Sequence, residues 1–182
     1  MMNVEINKDV KLSEHLTSSS AAALSHPNEL DGLRLTPHFS LGELMKSKNH
    51  PEIYNIPSHV HIDNLKRVCT WLEVLREQWN RLYGEGDDPV IITSGYRSKE
   101  LNRAVGGVAT SNHLTGCAVD IRVAGKEQLL RYAVILLDYA DHTKQDFDEI
   151  LLEHGKNGVI WLHFAVRPPG ERNRRKFDIL RG

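Results

Sequence analysis

Two cysteines in 182 residues, Cys69 and Cys117, are too few for a disulfide-stapled scaffold. Cys69 falls in a helical pattern and Cys117 in a strand pattern, so each reads as a small core residue. Cys117 also alternates out of phase with Asp120, which argues against its being a metal ligand beside that aspartate. No run of 18 apolar residues occurs, so no membrane-spanning helix is expected. The opening MMNVEINKDVKLSEHL has Glu and Asp where a cleaved signal needs an apolar core. The chain is therefore expected to be synthesised in the cytoplasm and to reach any site outside by another route. A surplus of positive charge is also missing: 23 Lys and Arg against 24 Asp and Glu give −1. That excludes a broad nucleic-acid-binding face. Arg172, Arg174, Arg175 and Lys176 form a short basic run that reads as a solvated tail rather than a nucleic-acid contact. No internal repeat is seen.

What is present suits one domain with an ordinary core, since 40% of the residues are apolar. Residues 1–36 are polar and Ser/Ala-rich without a sustained period, and read as a flexible arm, with a short helix at 18–24 as the lesser alternative. The domain proper is expected to span 37–167, followed by a basic tail at 168–182. Ser40-Leu41-Gly42-Glu43 is a capping box opening a short helix. Ser58 precedes a long amphipathic stripe of Ile62, Leu65, Val68, Cys69, Leu72, Leu75, Trp79 and Leu82, which Gly84 can end. VIIT at 90–93 predicts a short buried strand, and Ser98 predicts a cap for a short helix. In CAVDIRV, Val119 and Ile121 share one face and Ala118, Asp120 and Arg122 the other. A second helix is predicted at 126–140, apolar at Leu129, Leu130, Ala133, Val134, Leu136, Leu137 and Ala140. FDEILLEH at 147–154 and VIWLHFAV at 159–166 read as two strands of a hairpin joined by GKNG.

The stretch with most chemistry is Ser111-Asn112-His113-Leu114-Thr115-Gly116-Cys117-Ala118-Val119-Asp120. Gly116 lets the chain turn between His113 and the strand carrying Asp120. His163 lies in an otherwise apolar strand, where an imidazole without a partner is costly. His, Asp and His are ligands that zinc accepts, and a catalytic zinc holds three protein ligands and leaves one position open. On spacing alone, a buried His–Asp hydrogen bond explains the same residues equally well. The other histidines have no partner spacing. Strand alternation allows Asp120, His163 and Glu153 to meet above one sheet.

SGYRS at 94–98, LN, VGG, SNHLTGCAVDI at 111–121 and WLHF at 161–164, in this order, resemble the zinc D-Ala-D-Ala carboxypeptidase family. These are peptidoglycan peptidases of the lysostaphin, D-Ala-D-Ala and Sonic-hedgehog superfamily, which also includes phage endolysins. The family pattern S-x-H-x-x-G-x-A-x-D is met by Ser111, His113, Gly116, Ala118 and Asp120. The similarity covers about residues 37–167, with FSLGELMKS and the long helix fitting a phage-type branch. The resemblance implies an α+β fold, a small antiparallel sheet with helices packed on one side, and zinc (Zn2+) held by His113, Asp120 and His163. It implies that Arg97 binds a carboxylate or carbonyl oxygen of the substrate, which a forked, permanently charged guanidinium suits. Ser111 would support a ligand or touch substrate, or else merely cap its turn.

The resemblance also implies that a carboxylate moves a proton from water to the leaving amine. Many relatives place that group as Glu-x-x-His or His-x-His before the last ligand. Here those positions are Ile160 and Trp161, which cannot serve. Glu153 is the candidate instead, with His154 and Glu149 behind it. The implied function is zinc-dependent hydrolysis of peptidoglycan stem peptides, as a D,D-carboxypeptidase or endopeptidase, in cell-wall remodelling or phage lysis. The alternative is a catalytically inactive, zinc-containing wall-binding or phage structural module. The partner expected is a peptidoglycan peptide, met after export or release during lysis.

Overall fold

The structure, a computed structural model, describes residues 30–181; of the arm expected at 1–36, residues 1–29, with the alternative helix at 18–24, lie outside the described residues. Its elements are α1 (Leu41–Met45), α2 (His59–Leu82), β1 (Ile92–Ser94), α3 (Lys99–Ala104), a 3-10 turn (Asn112–Thr115), β2 (Ala118–Arg122), α4 (Lys126–Thr143), β3 (Glu149–His154), β4 (Ile160–Ala165) and β5 (Lys176–Arg181). The fold is α+β. The strands form one sheet in the order β1-β2-β4-β3-β5. Its first four strands are antiparallel neighbours, and β5 joins β3 in parallel, so the sheet is mixed.

Local chemistry explains most boundaries. The Ser40 and Ser58 side chains each accept from the backbone three residues on, and Glu43 and His61 reach back to close the capping boxes. On α2 the buried stripe is Ile62, Leu65, Val68, Cys69, Leu72 and Leu75, widened by Trp71, whose ring packs against Tyr139 and Phe164. Leu82, expected on that stripe, is exposed at the helix end. The buried side of α4 differs from expectation too. Leu130 and Val134 face solvent, while Tyr132 and Ile135 are buried, because the Tyr132 ring meets Trp79 of α2 edge-on. β1 starts two residues later than expected and is half exposed, as suits an edge strand.

The sheet has two unlike faces. Val119, Ile121, Leu162, Phe164, Ile150 and Leu152 project to one side and join α2 and α4 in the apolar core. Leu30 and Leu35 are buried in that core, so the packed body reaches back beyond Pro37. The other face carries Asp120, His163, Leu151, Glu149 and Glu153.

The basic C-terminal run is not a free tail. Residues 166–175 cross the start of β3, and β5 then pairs with it from Glu149↔Lys176 onward. Three of the run's four charges are paired: Arg174 with Asp148 and Glu149, Arg175 with Asp141 and Asp146, and Lys176 with Glu149.

Candidate metal centre

Three buried side chains converge above the sheet. Asp120 on β2 stands opposite His163 on β4 in the ladder. His113 comes from the 3-10 turn, which Ser111 caps by accepting from His113 N at 3.3 Å. The turn ends at Gly116 with φ 70°, where a Cβ would lie 2.6 Å from the His61 carbonyl oxygen. Only glycine fits both the left-handed backbone and that close approach. One ligand atom from each of His113, Asp120 and His163 lies within 4.8 Å of the others.

The hydrogen bonds around the rings decide which nitrogens face inward. His113 Nδ1 lies 2.6 Å from the Gly95 carbonyl oxygen. A carbonyl only accepts, so Nδ1 carries the hydrogen and Nε2 turns its lone pair toward Asp120 Oδ1, 3.2 Å away. Gly95 is held against α1, where a Cβ would fall 2.3 Å from the Leu44 carbonyl oxygen. His163 Nδ1 lies 2.9 Å from the same Asp120 oxygen, and its Nε2 faces Glu149 Oε2 at 3.5 Å. Each ring thus has its outer nitrogen engaged and its inner nitrogen aimed at one carboxylate oxygen, the arrangement that orients metal-binding histidines.

The electrostatics favour a cation at this point. Burial pushes His113 down, against the pull of Asp120. A neutral His113 leaves two acceptors facing each other at 3.2 Å, which repel unless positive charge lies between them. Burial also works against a charged His163, yet its contacts with Asp120 and Glu149 push it up to about 9. Burial opposes ionisation of Asp120, but the bond and charge of the His163 ring hold its carboxyl well below the usual carboxylate range. Donors about 2.1 Å from a tetrahedral ion sit roughly 3.4 Å apart. The two histidine–aspartate separations, 3.2 and 2.9 Å, are close to that spacing. The donor set therefore fits zinc.

Arg97 donates from Nη2 to Asp120 Oδ2 at 2.6 Å and from Nε to Ser94 Oγ at 2.8 Å. It also lines a cavity of about 290 Å³ with Lys46, Lys48, Ser94 and Tyr96. A second cavity of about 240 Å³ is lined by Asp120, Arg122, Ile160 and Trp161. Thr93 lines both cavities, so the Arg97–Asp120 contact stands between them.

Glu153 lies on the site face opposite Trp161, one ladder step from His163. Burial raises its pKa, with the charge of His163 pulling the other way. His154 is exposed and belongs to the core-side alternation, away from the cluster. Glu149 reaches His163, and that contact holds its carboxyl below the usual range. Sequence reasoning missed Asn112 and Asp148. The Asn112 amide donates to both Asp148 Oδ2 and Glu149 Oε2 at 2.9 Å. Asn112 sits next to His113, and that adjacency was the only available signal.

Fold and cluster together define an α+β protein with a candidate metal centre on the polar face of its sheet. Residues 37–136 match the family described as Peptidase M15. That is more than half of the chain, and the chain belongs to this family of peptidases. No curated protein matches the chain. The matched span includes Arg97, His113 and Asp120 but ends before Glu149, Glu153 and His163.

Proposed function

We propose that the protein is a zinc-dependent peptidase that hydrolyses peptidoglycan stem peptides, as a D,D-carboxypeptidase or an endopeptidase. The observation that carries this is the inward set of two imidazole nitrogens and one carboxylate oxygen, with the outer ring nitrogens already engaged. His113, Asp120 and His163 hold the ion, and when bound it supplies polarisation of a carbonyl and a more acidic water.

The chain's own residues do the rest. Arg97, at the border of the two cavities, binds a substrate carboxylate or carbonyl oxygen and shares the charge that develops there. Glu153, its proton affinity raised by burial, takes a proton from water and passes it to the leaving amine nitrogen. Ser111 fixes the turn that carries His113. The two cavities give an extended peptide room on both sides of the cluster. The protein meets this substrate in the cell wall, after export or release during lysis.

A second reading, a zinc-containing wall-binding module without turnover, draws on one observation. Ile160 and Trp161 stand where a proton carrier is expected, and Glu153 makes no hydrogen bond to the cluster among the described residues. Mass spectrometry of purified muropeptides digested by the zinc-loaded protein separates the two. Wild type is expected to release a peptide or amino acid. Glu153→Gln should keep its zinc and lose about 10²–10⁴-fold in rate, and His163→Ala should lose both. Zinc uptake and wall pelleting without cleavage would favour the second reading, and no zinc uptake would overturn both.

A further inference from the structure

A second polar assembly lies behind the metal cluster, on the side where the C-terminal segment crosses β3. Its centre is Asp148, whose side chain is 0% exposed. Arg167 Nε donates to its Oδ1 at 2.8 Å. Arg174 takes both of its oxygens, with Nε on Oδ1 at 2.9 Å and Nη2 on Oδ2 at 2.6 Å. The Arg174 backbone N–H adds a third bond at 3.0 Å. The same Arg174 Nη2 lies 2.9 Å from Glu149 Oε1, so one guanidinium bridges two adjacent carboxylates. A forked, planar cation does this better than a point charge.

From here the assembly reaches both histidines. Glu149 Oε2 faces His163 Nε2 at 3.5 Å. Asn112, fixed by Asp148 and Glu149 together, begins the 3-10 turn that presents His113. Two carboxylates side by side would repel each other and rotate apart without a shared cation. The arginine that holds them is supplied by residues outside the matched family span.

We propose that Arg174 is a positioning residue for the metal centre: by clamping Asp148 and Glu149 it fixes the His163 ring and the His113 turn in their metal-binding orientations. The inference rests on the metal-binding part of the reading above and is independent of which bond is cut. Arg174 itself touches neither the ion nor the substrate. Partners that orient metal-binding histidines typically matter by about 10–100-fold in metal affinity.

The test measures zinc affinity of the full-length protein by competition with a chelator, under conditions where circular dichroism shows each metal-free variant to be folded. Arg174→Ala should bind zinc about 10–100-fold more weakly than wild type. Arg174→Lys, which restores charge but not the fork, should fall between the two. Arg172→Ala, whose side chain makes no hydrogen bond or ion pair among the described residues, should match wild type. The visible spectrum of the cobalt(II) form should change in Arg174→Ala and not in Arg172→Ala.

Because Arg174 acts through Glu149, the losses in Arg174→Ala and Glu149→Gln should not add in the double variant. Glu149→Gln alone, isosteric and less disruptive, should also weaken binding, which keeps the test open if Arg174→Ala does not fold. An Arg174→Ala protein with wild-type affinity, or fully additive losses, would overturn the clamp while leaving the metal site intact. A wild-type protein that takes up no zinc would instead remove the metal reading, and the clamp with it.

Discussion

Raising the pH from 7 to 9 should tighten zinc binding about fiftyfold, and the reason lies in one ring. Without a cation, His163 stands between Asp120 and Glu149 and is pushed up to about 9. Zinc needs the Nδ1 lone pair, so binding must displace one proton. At pH 7 roughly one molecule in 100 has that proton already off, a penalty on the order of 3 kcal/mol. His113 adds no second proton, because burial keeps it neutral. Calorimetry in two buffers of different ionisation enthalpy counts the protons directly, and the expected number near pH 7 is one.

The metal-free protein should show the reverse trend. A histidine whose folded pKa is raised contributes stability that is complete below its unfolded pKa of about 6.5 and is lost as pH rises through the folded value. The window is therefore from about pH 6.5 to about 9. Over it the metal-free fold should lose on the order of 3 kcal/mol, read from urea unfolding at pH 6 and 9. Affinity that stays flat from pH 7 to 9, or two protons released per ion, would refute the reasoning about the inward-facing nitrogens.

Two further substitutions probe the supports of the site. Gly116→Ala forces a side chain into φ 70° and against the His61 carbonyl oxygen at 2.6 Å. It should cost about 1–3 kcal/mol, lower Tm by roughly 2–4 °C per kcal/mol, and weaken zinc binding by shifting the His113 turn. Asp148→Asn removes the charge beneath Arg167 and Arg174. It should cost about 3 kcal/mol, near the low end for a buried pair, because those arginines are 30% and 45% exposed. Burial opposes the Asp148 charge, but Arg174, Asn112 and Arg167 hold its carboxyl well below the usual range. The stability it contributes is thus complete above about pH 4 and lost as pH falls through the native value. Acid unfolding of Asp148→Asn should accordingly be flatter than that of wild type.

Much of the site was legible because strand alternation and residue type agreed. His163 is the single polar side chain in an apolar strand, and Asp120 is the acidic one on the polar side of β2. The caps at Ser40, Ser58, Ser98 and Ser111 depend only on neighbours within three residues, so local sequence sufficed. What stayed hidden depends on distant partners. β5 follows a basic run that reads as solvated, and only the capture of Asp148 by Arg174, 26 residues on, brings it to β3. The buried side of α4 turns on Tyr132 meeting Trp79, which periodicity along α4 alone does not contain. Glu149 reads as a proton carrier in reserve behind Glu153, and its contacts with His163 and Asn112 emerge only when those residues are seen beside it.

The core itself fixes the geometry of the proposed ligands. Val119 and Ile121 must be buried, as must Leu162 and Phe164, and alternation then sends Asp120 and His163 to the opposite face at paired positions. A slip of one residue would bury the ligands and expose the core, so the register carries a large hydrophobic penalty for error. Asp120 and His163 are thus held by two interior strands, β2 and β4, which suits a site needing sub-ångström placement. Glu153 has weaker support. It is the next-to-last residue of β3 and leads straight into the Gly155–Gly158 turn, where Gly158 takes φ 82°. Metal binding should therefore tolerate changes in that turn, whereas proton transfer should not, since a shift of about 1 Å at a reacting group can cost about 10²-fold in rate.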